Sequence, residues 1–399
     1  MAPASAPGST PGSTPGRTPG STPAGSPPST PSSDLSSDLF SVPASTPAGA
    51  PGGRGTLAFV ESPVQLLNVL EWAHVTAYDM ADVTVVVLSP RDPMSRGQLR
   101  RMAELARDEG CAVRWEDARE GAGAPLRTVA GLAPALRRAE RVVIGDPFSR
   151  YVQLLLTLVR APALVVVDDG TATMEFAGQL ARGERLVRWH RRGSRPGVRE
   201  LLLAPVTTSA RRRLAPGPRR TVELFTAMPV AEALPGITVT SNDLAWTRAR
   251  FGPPRITRTA DLVGTSLVET GVVDPEHYLR AVRSLTLSHG ATRYFAHRRE
   301  SADKLHRLAL ETGLEIVRPD LPLEVIARRG PIGRTILSFP STVVHTLPRA
   351  LVGTDVKVAV CDIDPGWLSA DASPRARGFL AGVSGTARDV RKLRVLPAT

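Results

Sequence analysis

Cysteine is almost missing from this chain. Cys111 and Cys361 are the only two, with no Cys/His cluster around them. That argues against a disulfide framework and leaves no ligand set for zinc, so neither a metal nor a cofactor is expected. No apolar run reaches the length of a bilayer crossing, and the N-terminus lacks the basic-then-apolar layout of a secretory leader. The expected location is therefore cytoplasmic. Aromatic residues make up only 5% of the chain, few to stack on bases. No Gly-x-x-x-x-Gly-Lys phosphate loop, helix-turn-helix signature or zinc finger is present either, so nucleic acid is not an expected partner.

What the chain does have is length, apolar content and positive charge. Its 399 residues suffice for two domains, and 42% hydrophobic content suits a packed core. Lys and Arg total 50 against 38 Asp and Glu, a formal charge of +12, with Arg far ahead of Lys. Such a surface favours anionic partners: nucleotide sugars, anionic glycans, or the inner face of an anionic membrane touched peripherally.

Residues 1–54 are a Pro/Gly/Ser/Thr-rich tail with Gly-Ser-Thr-Pro repeated at 8–11, 12–15 and 20–23. This composition cannot bury enough apolar surface to offset chain entropy and is expected to be disordered. From Thr56 onward, short apolar runs alternate with helical patterns. Leu57–Val60 is a first strand, and Ser62 caps a helix that has Pro63 at its first position. Strands follow at 83–88, 112–115, 141–144 and 164–167. The helix after the last is expected to run from Met174 to Arg192. Residues 182–220 are dense in arginine, including Arg191, Arg192, Arg211, Arg212, Arg213, Arg219 and Arg220. They read as a solvated face or linker, or as an electrostatic track for an anionic acceptor or lipid.

A second α/β series follows, with strands at 221–225, 237–239, 261–263, 293–296, 315–318, 335–338 and 356–361. Asp274-Pro275 opens its first long helix. Alternating β and α elements imply doubly wound parallel sheets. The expected organisation is the tail, an N-terminal Rossmann-like half at 55–220, a C-terminal half at 221–385 and a tail at 386–399. Two such halves facing a central cleft describe the GT-B architecture.

Ligands of open α/β sheets bind outside the strand C-termini, so the residues ending each strand carry the functional reading. Leu164–Val167 stops at Asp168-Asp169-Gly170. Neighbours on an extended strand point to opposite sides, so one carboxylate is expected to reach a substrate. Mutual repulsion of the pair raises one pKa toward a general base's range. The other reading is a turn with Thr171 capping a helix. Ser62, Gln65, Asp146 and Ser149 also fall at strand ends and are candidate cleft residues, with capping the alternative. In the second half, one strand ends in His297-Arg298-Arg299-Glu300 and another leads to Ser341-Thr342. A carboxylate can take a hydroxyl proton, and a histidine can assist a departing phosphate. Two hydroxyls at a helix N-terminus can cradle that phosphate.

In order and placement these clusters resemble the bacterial GT-B sialyltransferases, especially the α-2,8-polysialyltransferase and lipooligosaccharide sialyltransferase branches. That superfamily carries an acidic pair before Gly, a His-Pro and a Ser-Ser or Ser-Thr. Here Asp168-Asp169-Gly170, His297 and Ser341-Thr342 match them, and the similarity spans roughly residues 56–370. Supporting stretches are Ser62-Pro63-Val64-Gln65, Gly264 to Glu269, and Tyr294 to Glu300. Arg298 stands where the family usually has Pro.

The resemblance implies metal-independent transfer of sialic acid, or a related nonulosonic acid, from a CMP donor to a glycan hydroxyl. Asp168 or Asp169 would be the base, with Asp169 preferred, and His297 would assist CMP departure. Ser341 and Thr342 would hold the phosphate beside Gly170 and Arg298. Glu269 and Glu300 are candidates to orient a cytidine or ribose hydroxyl, or else cap and salt-bridge residues. The alternatives are a GT-B transferase of UDP- or GDP-sugars, a non-catalytic anionic-glycan-binding protein, and a fold that has lost catalysis.

Overall fold

Strands buried on both faces need apolar residues at nearly every position, and the central strands at 56–60, 83–88, 141–144 and 163–167 are built that way. In a computed structural model, residues 55–117, 119, 123–187, 204–369, 372, 374–389 and 394–396 are described. The expected N-terminal disorder lies outside these residues. The first series of strands is β1 (Thr56–Val60), β2 (Val83–Leu88), β3 (Ala112–Glu116), β4 (Arg141–Ile144), β5 (Ala163–Val167), β6 (Thr221–Thr226) and β7 (Ile237–Ser241). They form one parallel sheet in the order β3-β2-β1-β4-β5-β6-β7. The second series is β8 (Ile256–Val263), β9 (Ala291–Phe295), β10 (Glu315–Val317), β11 (Ile332–Ser338), β12 (Lys357–Cys361) and β13 (Arg394–Leu396). It forms a second parallel sheet, β10-β9-β8-β11-β12-β13. Both follow the Rossmann order, the first with one strand added. Two parallel α/β units are what the GT-B expectation requires.

Side-chain alternation splits the core in two at each sheet. Leu57, Phe59, Leu164 and Val166 face one apolar cluster, while Ala58, Val60, Val165 and Val167 face the other. The covering helices of the first half are α1 (Pro63–Val75), α2 (Pro93–Asp108), α3 (Ala124–Arg138), α4 (Arg150–Leu158), α5 (Thr171–Ala181) and α6 (Ala204–Arg213). A linker helix α7 (Ala245–Arg250) precedes the second sheet. Then come α8 (Pro275–His289), α9 (Ala302–Thr312), α10 (Leu323–Arg329), α11 (Val343–Ala350) and α12 (Pro374–Asp389). Among the described residues no helix is long and apolar enough to cross a membrane.

Three sequence expectations need correction. The boundary at 220/221 falls ahead of two strands that belong to the first sheet. Thr221 pairs with Ala163 along β5, and β7 pairs with β6. The arginine-rich stretch between β5 and β6 thus includes part of a crossover, with α6 in it, rather than only an interdomain linker. The helix expected to run to Arg192 ends at Ala181. Gly183 takes φ +67°, with Gly183 N–H donating to Leu180 O and Glu184 N–H to Gln179 O. That is a glycine-based Schellman stop; residues 188–192 lie outside the described residues. In the stretch expected as a C-terminal tail, the described residues are structured: α12 runs to Asp389 and β13 pairs with β12.

The segment joining the sheets is anchored from both sides. Leu244 precedes α7 at φ 54° and supplies no capping side chain. Instead the buried carboxylate of Glu71, on α1, accepts the Trp246 and Thr247 N–H groups at 2.8 and 2.9 Å and the Thr247 hydroxyl at 2.5 Å. From the other half, Arg349 on α11 donates to Ser241 Oγ and Asn242 O, each at 2.6 Å, and pairs with Asp243. Leu321 and Val325 bury themselves in an apolar cluster of the first sheet. Replacing Glu71 by Ala strands three buried donors. The expected cost is about 1–3 kcal/mol, read as a lower urea midpoint; an unchanged midpoint would refute the external cap.

Candidate functional site

In a sheet of Rossmann order the ligand crevice lies where strand order reverses. In the first sheet that point is between β1 and β4, and in the second between β8 and β11. The acidic turn follows β5, beside the first of these points. Asp168 is only 2% exposed. One carboxylate oxygen accepts the Thr226 hydroxyl and the other the Ala227 N–H at 2.5 Å, both at the end of neighbouring β6. Its carbonyl accepts from Asn68 Nδ2 at 3.0 Å. Burial pushes its pKa up to about 6, against the lowering effect of the Thr226 and Ala227 hydrogen bonds. Asp169 remains partly exposed, and its N–H donates to Thr173 Oγ1 at 2.9 Å. The two carboxylates therefore differ in surroundings, one enclosed and one open, as strand alternation implies. Thr171 does not cap α5: the cap position is Gly170, and no side chain bonds there.

In the second half, β9 runs into His297. Arg299 N–H donates to His297 Nδ1 at 3.2 Å, so the neutral ring carries its proton on Nε2. Burial, then Arg298, Arg299 and Lys304, push this pKa down to about 4, and the imidazole is uncharged at neutral pH. Arg298 is within electrostatic reach of Asp169 and of Asp92, both from the first half. Asp92 caps α2 by accepting the Ser95 N–H at 2.7 Å. After β11, Ser341 Oγ lies 3.3 Å from Ser338 Oγ. Thr342 takes the cap position of α11 with helical dihedrals and makes no side-chain cap bond. The routine capping role is not what its hydroxyl does.

The acidic turn and the Ser-Thr pair, distant in sequence, meet at a glycine. Gly170 has φ 64° and ψ −126°, a region open essentially to glycine alone. A Cβ placed there would stand 3.2 Å from Thr342 Cγ2 and 3.5 Å from its Oγ1. The end of β5 in one sheet thus touches the start of α11 on the other. Arg298, next to His297, feels the charge of Asp169 in the same acidic turn.

The remaining candidates sit in supporting positions. Glu300 is buried. Its Oε1 accepts Tyr294 OH at 2.6 Å and Lys304 Nζ at 2.7 Å, and its Oε2 accepts the His297 N–H at 2.6 Å. Glu269 accepts the Ser301 N–H at 3.3 Å and pairs with Lys304 at 3.4 Å. Ser62 and Gln65, expected at the cleft, are buried within their own turn. Ser62 caps α1, while Gln65 Oε1 accepts the Glu61 N–H at 2.7 Å and its side chain fills the space beside Gly145. Asp146 accepts the Phe148 N–H at 2.9 Å, and Ser149 caps α4, as the capping alternative has it.

Sequence reasoning passed over Glu61. It ends β1 at the first sheet's switch point, pairs with Arg119 and accepts Ser149 Oγ at 3.0 Å. Its signal was the same one that marked Asp168, a carboxylate directly after an apolar strand. Of the arginine run, Arg191 and Arg192 lie outside the described residues. Arg211 to Arg213 form the last turn of α6, and Arg220 donates to the Arg212 and Arg213 carbonyls at 3.1 and 3.2 Å. Cations there complement the helix dipole. Among the described residues no group of three or more His, Cys, Asp or Glu is placed to hold a metal ion.

No family model matches the chain, and no curated protein matches it. Among solved structures, it is similar to an α/β-galactoside α-2,3-sialyltransferase from the luminous marine bacterium Photobacterium phosphoreum. That match has TM-score 0.49 and 9% identity and covers 86% of this chain and 99% of that one. The GT-B domain of a Photobacterium damselae sialyltransferase matches with TM-score 0.43 and 11% identity over 86% and 100%. The E. coli heptosyltransferase WaaC with ADP matches with TM-score 0.36 and 14% identity over 83% and 98%. Likeness at this level says nothing of donor or acceptor.

The raised pKa of Asp168 has a signed consequence. Its folded value lies above the ordinary 3.8. The carboxyl therefore contributes stability that is complete below the ordinary value and is lost as pH rises through about 6. In Asp168→Asn that decline between about pH 4 and 6 is expected to disappear from the urea midpoint measured against pH. Wild-type and variant curves running parallel would contradict the assignment.

Proposed function

We propose that this chain is a glycosyltransferase that moves sialic acid, or a related nonulosonic acid, from a CMP donor to a glycan hydroxyl. The observation that carries the reading is the approach of Gly170 to Thr342. It sets a partly exposed carboxylate from one half against a helix N-terminus and a hydroxyl from the other. A displacement needs that pairing, with a base on the acceptor side and a phosphate cradle on the donor side. The choice of a CMP-linked acid is supported by the three-motif resemblance.

In this reading Asp169 is the base, because Asp168 has both oxygens engaged by Thr226 and Ala227. As the acceptor oxygen bonds to the anomeric carbon, its proton passes to Asp169. The bond from that carbon to the CMP phosphate oxygen breaks, and CMP takes the electron pair. His297 meets the phosphate through Nε2–H. Three cations and burial hold the free imidazole neutral, and an arriving phosphate works against that, favouring the protonated ring as charge builds on the leaving group. Thr342, Ser341 and the α11 N-terminus hold the phosphate, and Arg298 adds a cation where the family has Pro.

The test is release of CMP from CMP-sialic acid. Wild type is expected to release it, and His297→Ala to lower the rate by about 10²–10⁴-fold. Asp169→Asn is expected to lose transfer in the presence of acceptor while keeping more of the slow hydrolysis. No release by wild type, together with no thermal stabilisation by CMP, would overturn the reading.

A further inference from the structure

Glu300, a candidate either for a ribose or cytidine hydroxyl or for a cap or salt-bridge role, has its carboxylate already committed. Oε1 takes Tyr294 OH and Lys304 Nζ, and Oε2 takes the His297 N–H. The Glu300 N–H returns the bond to His297 O at 3.0 Å, closing the turn His297-Arg298-Arg299-Glu300. Within that turn the Arg299 N–H reaches His297 Nδ1. The chain of bonds thus runs from a buried carboxylate, through the main chain of His297, to the ring nitrogen that decides which tautomer exists.

The support beneath Glu300 is itself built for the task. Tyr278 and Tyr294 are fully buried, with their hydroxyls 2.7 Å apart. Lys304 Nζ lies 4.2 Å from the centre of the Tyr278 ring, and it also donates to Thr265 O at 3.2 Å and pairs with Glu269. Gly264 leaves the space: a Cβ there would come within 2.2 Å of Glu300 Oε2. A buried carboxylate is costly unless its lone pairs are all used, and here each oxygen has a named donor.

We propose that Glu300 is a positioning residue for His297, holding the turn that keeps the imidazole proton on Nε2. The leaving-group role of that proton rests on the function proposed above; the tautomer itself does not. A glutamine at 300 cannot do the same work. Its oxygen can face either the His297 N–H or the Tyr294–Lys304 pair, and in either orientation its NH₂ meets a group that can only donate, the Lys304 ammonium or the His297 N–H.

The experiment is nitrogen-15 NMR of histidine-labelled full-length protein at neutral pH, with the His297 ring assigned by its loss in His297→Gln. CMP release is measured in parallel. The wild-type ring is expected as a single Nε2–H tautomer, and in Glu300→Gln as a mixture of both. CMP release by Glu300→Gln is expected to fall by about 100-fold in kcat, with the donor KM nearly unchanged. Tyr294→Phe, which removes one donor to the carboxylate, should move both readouts the same way by less. If Glu300→Gln fails to fold, the Tyr294→Phe protein decides. A folded variant that keeps the single tautomer overturns the proposal, as does one whose donor KM rises while kcat holds. If wild type releases no CMP, the donor assignment falls and the tautomer measurement still decides the role of Glu300.

Discussion

The absence of a side chain at Gly170 lets the two sheets meet. Gly170 sits in a backbone region that L-residues scarcely enter, and its bare Cα faces Thr342 across the junction of the halves. A Cβ there would stand 3.2 Å from Thr342 Cγ2, so that side chain would have to give by a few tenths of an ångström, on top of the backbone strain at φ 64°. The chemistry proposed for this protein needs a carboxylate and a phosphate cradle a few ångströms apart. The sheets alone do not provide that spacing.

Around this contact the fold separates enclosed ionisable groups from partly exposed ones. Asp168, Glu71 and Glu300 are buried, burial raises each pKa, and each accepts at least two hydrogen bonds that hold a neighbouring segment in place. Asp168 ties β5 to β6, Glu71 starts the linker helix, and Glu300 closes the His297 turn. Asp169, His297 and Arg298 are partly exposed. Asn68 joins the acidic turn to the linker: it donates to the Asp168 carbonyl and accepts from Asn242 at 2.9 Å.

The strands were legible because a parallel sheet demands continuous apolar runs, and β1, β2 and β5 have them. Ser62-Pro63 and Asp274-Pro275 were legible helix starts because cap and first-turn chemistry is local. The half boundary was not, since β6 reads TVELFT whether it joins the first sheet or opens the second. Only pairing with β5 decides. Helix α7 escaped because its cap comes from Glu71, far away in sequence, and β13 because three residues carry no period. In the site, the motif residues were visible as strand ends. That Asp168 and Asp169 part company follows from strand alternation, but which of them is enclosed depends on Thr226 and Ala227, whose partnership no spacing announces.

The measurement that bears most directly on a shared site is hydrogen exchange of the full chain with and without CMP. Slowed exchange is predicted at two places at once: the amides of residues 341–345, where the phosphate would bind, and those of 168–172, which lean on Thr342. UDP and GDP should leave both unchanged. Protection at neither stretch, or at 341–345 with the acidic turn indifferent, would contradict a single site assembled from both sheets.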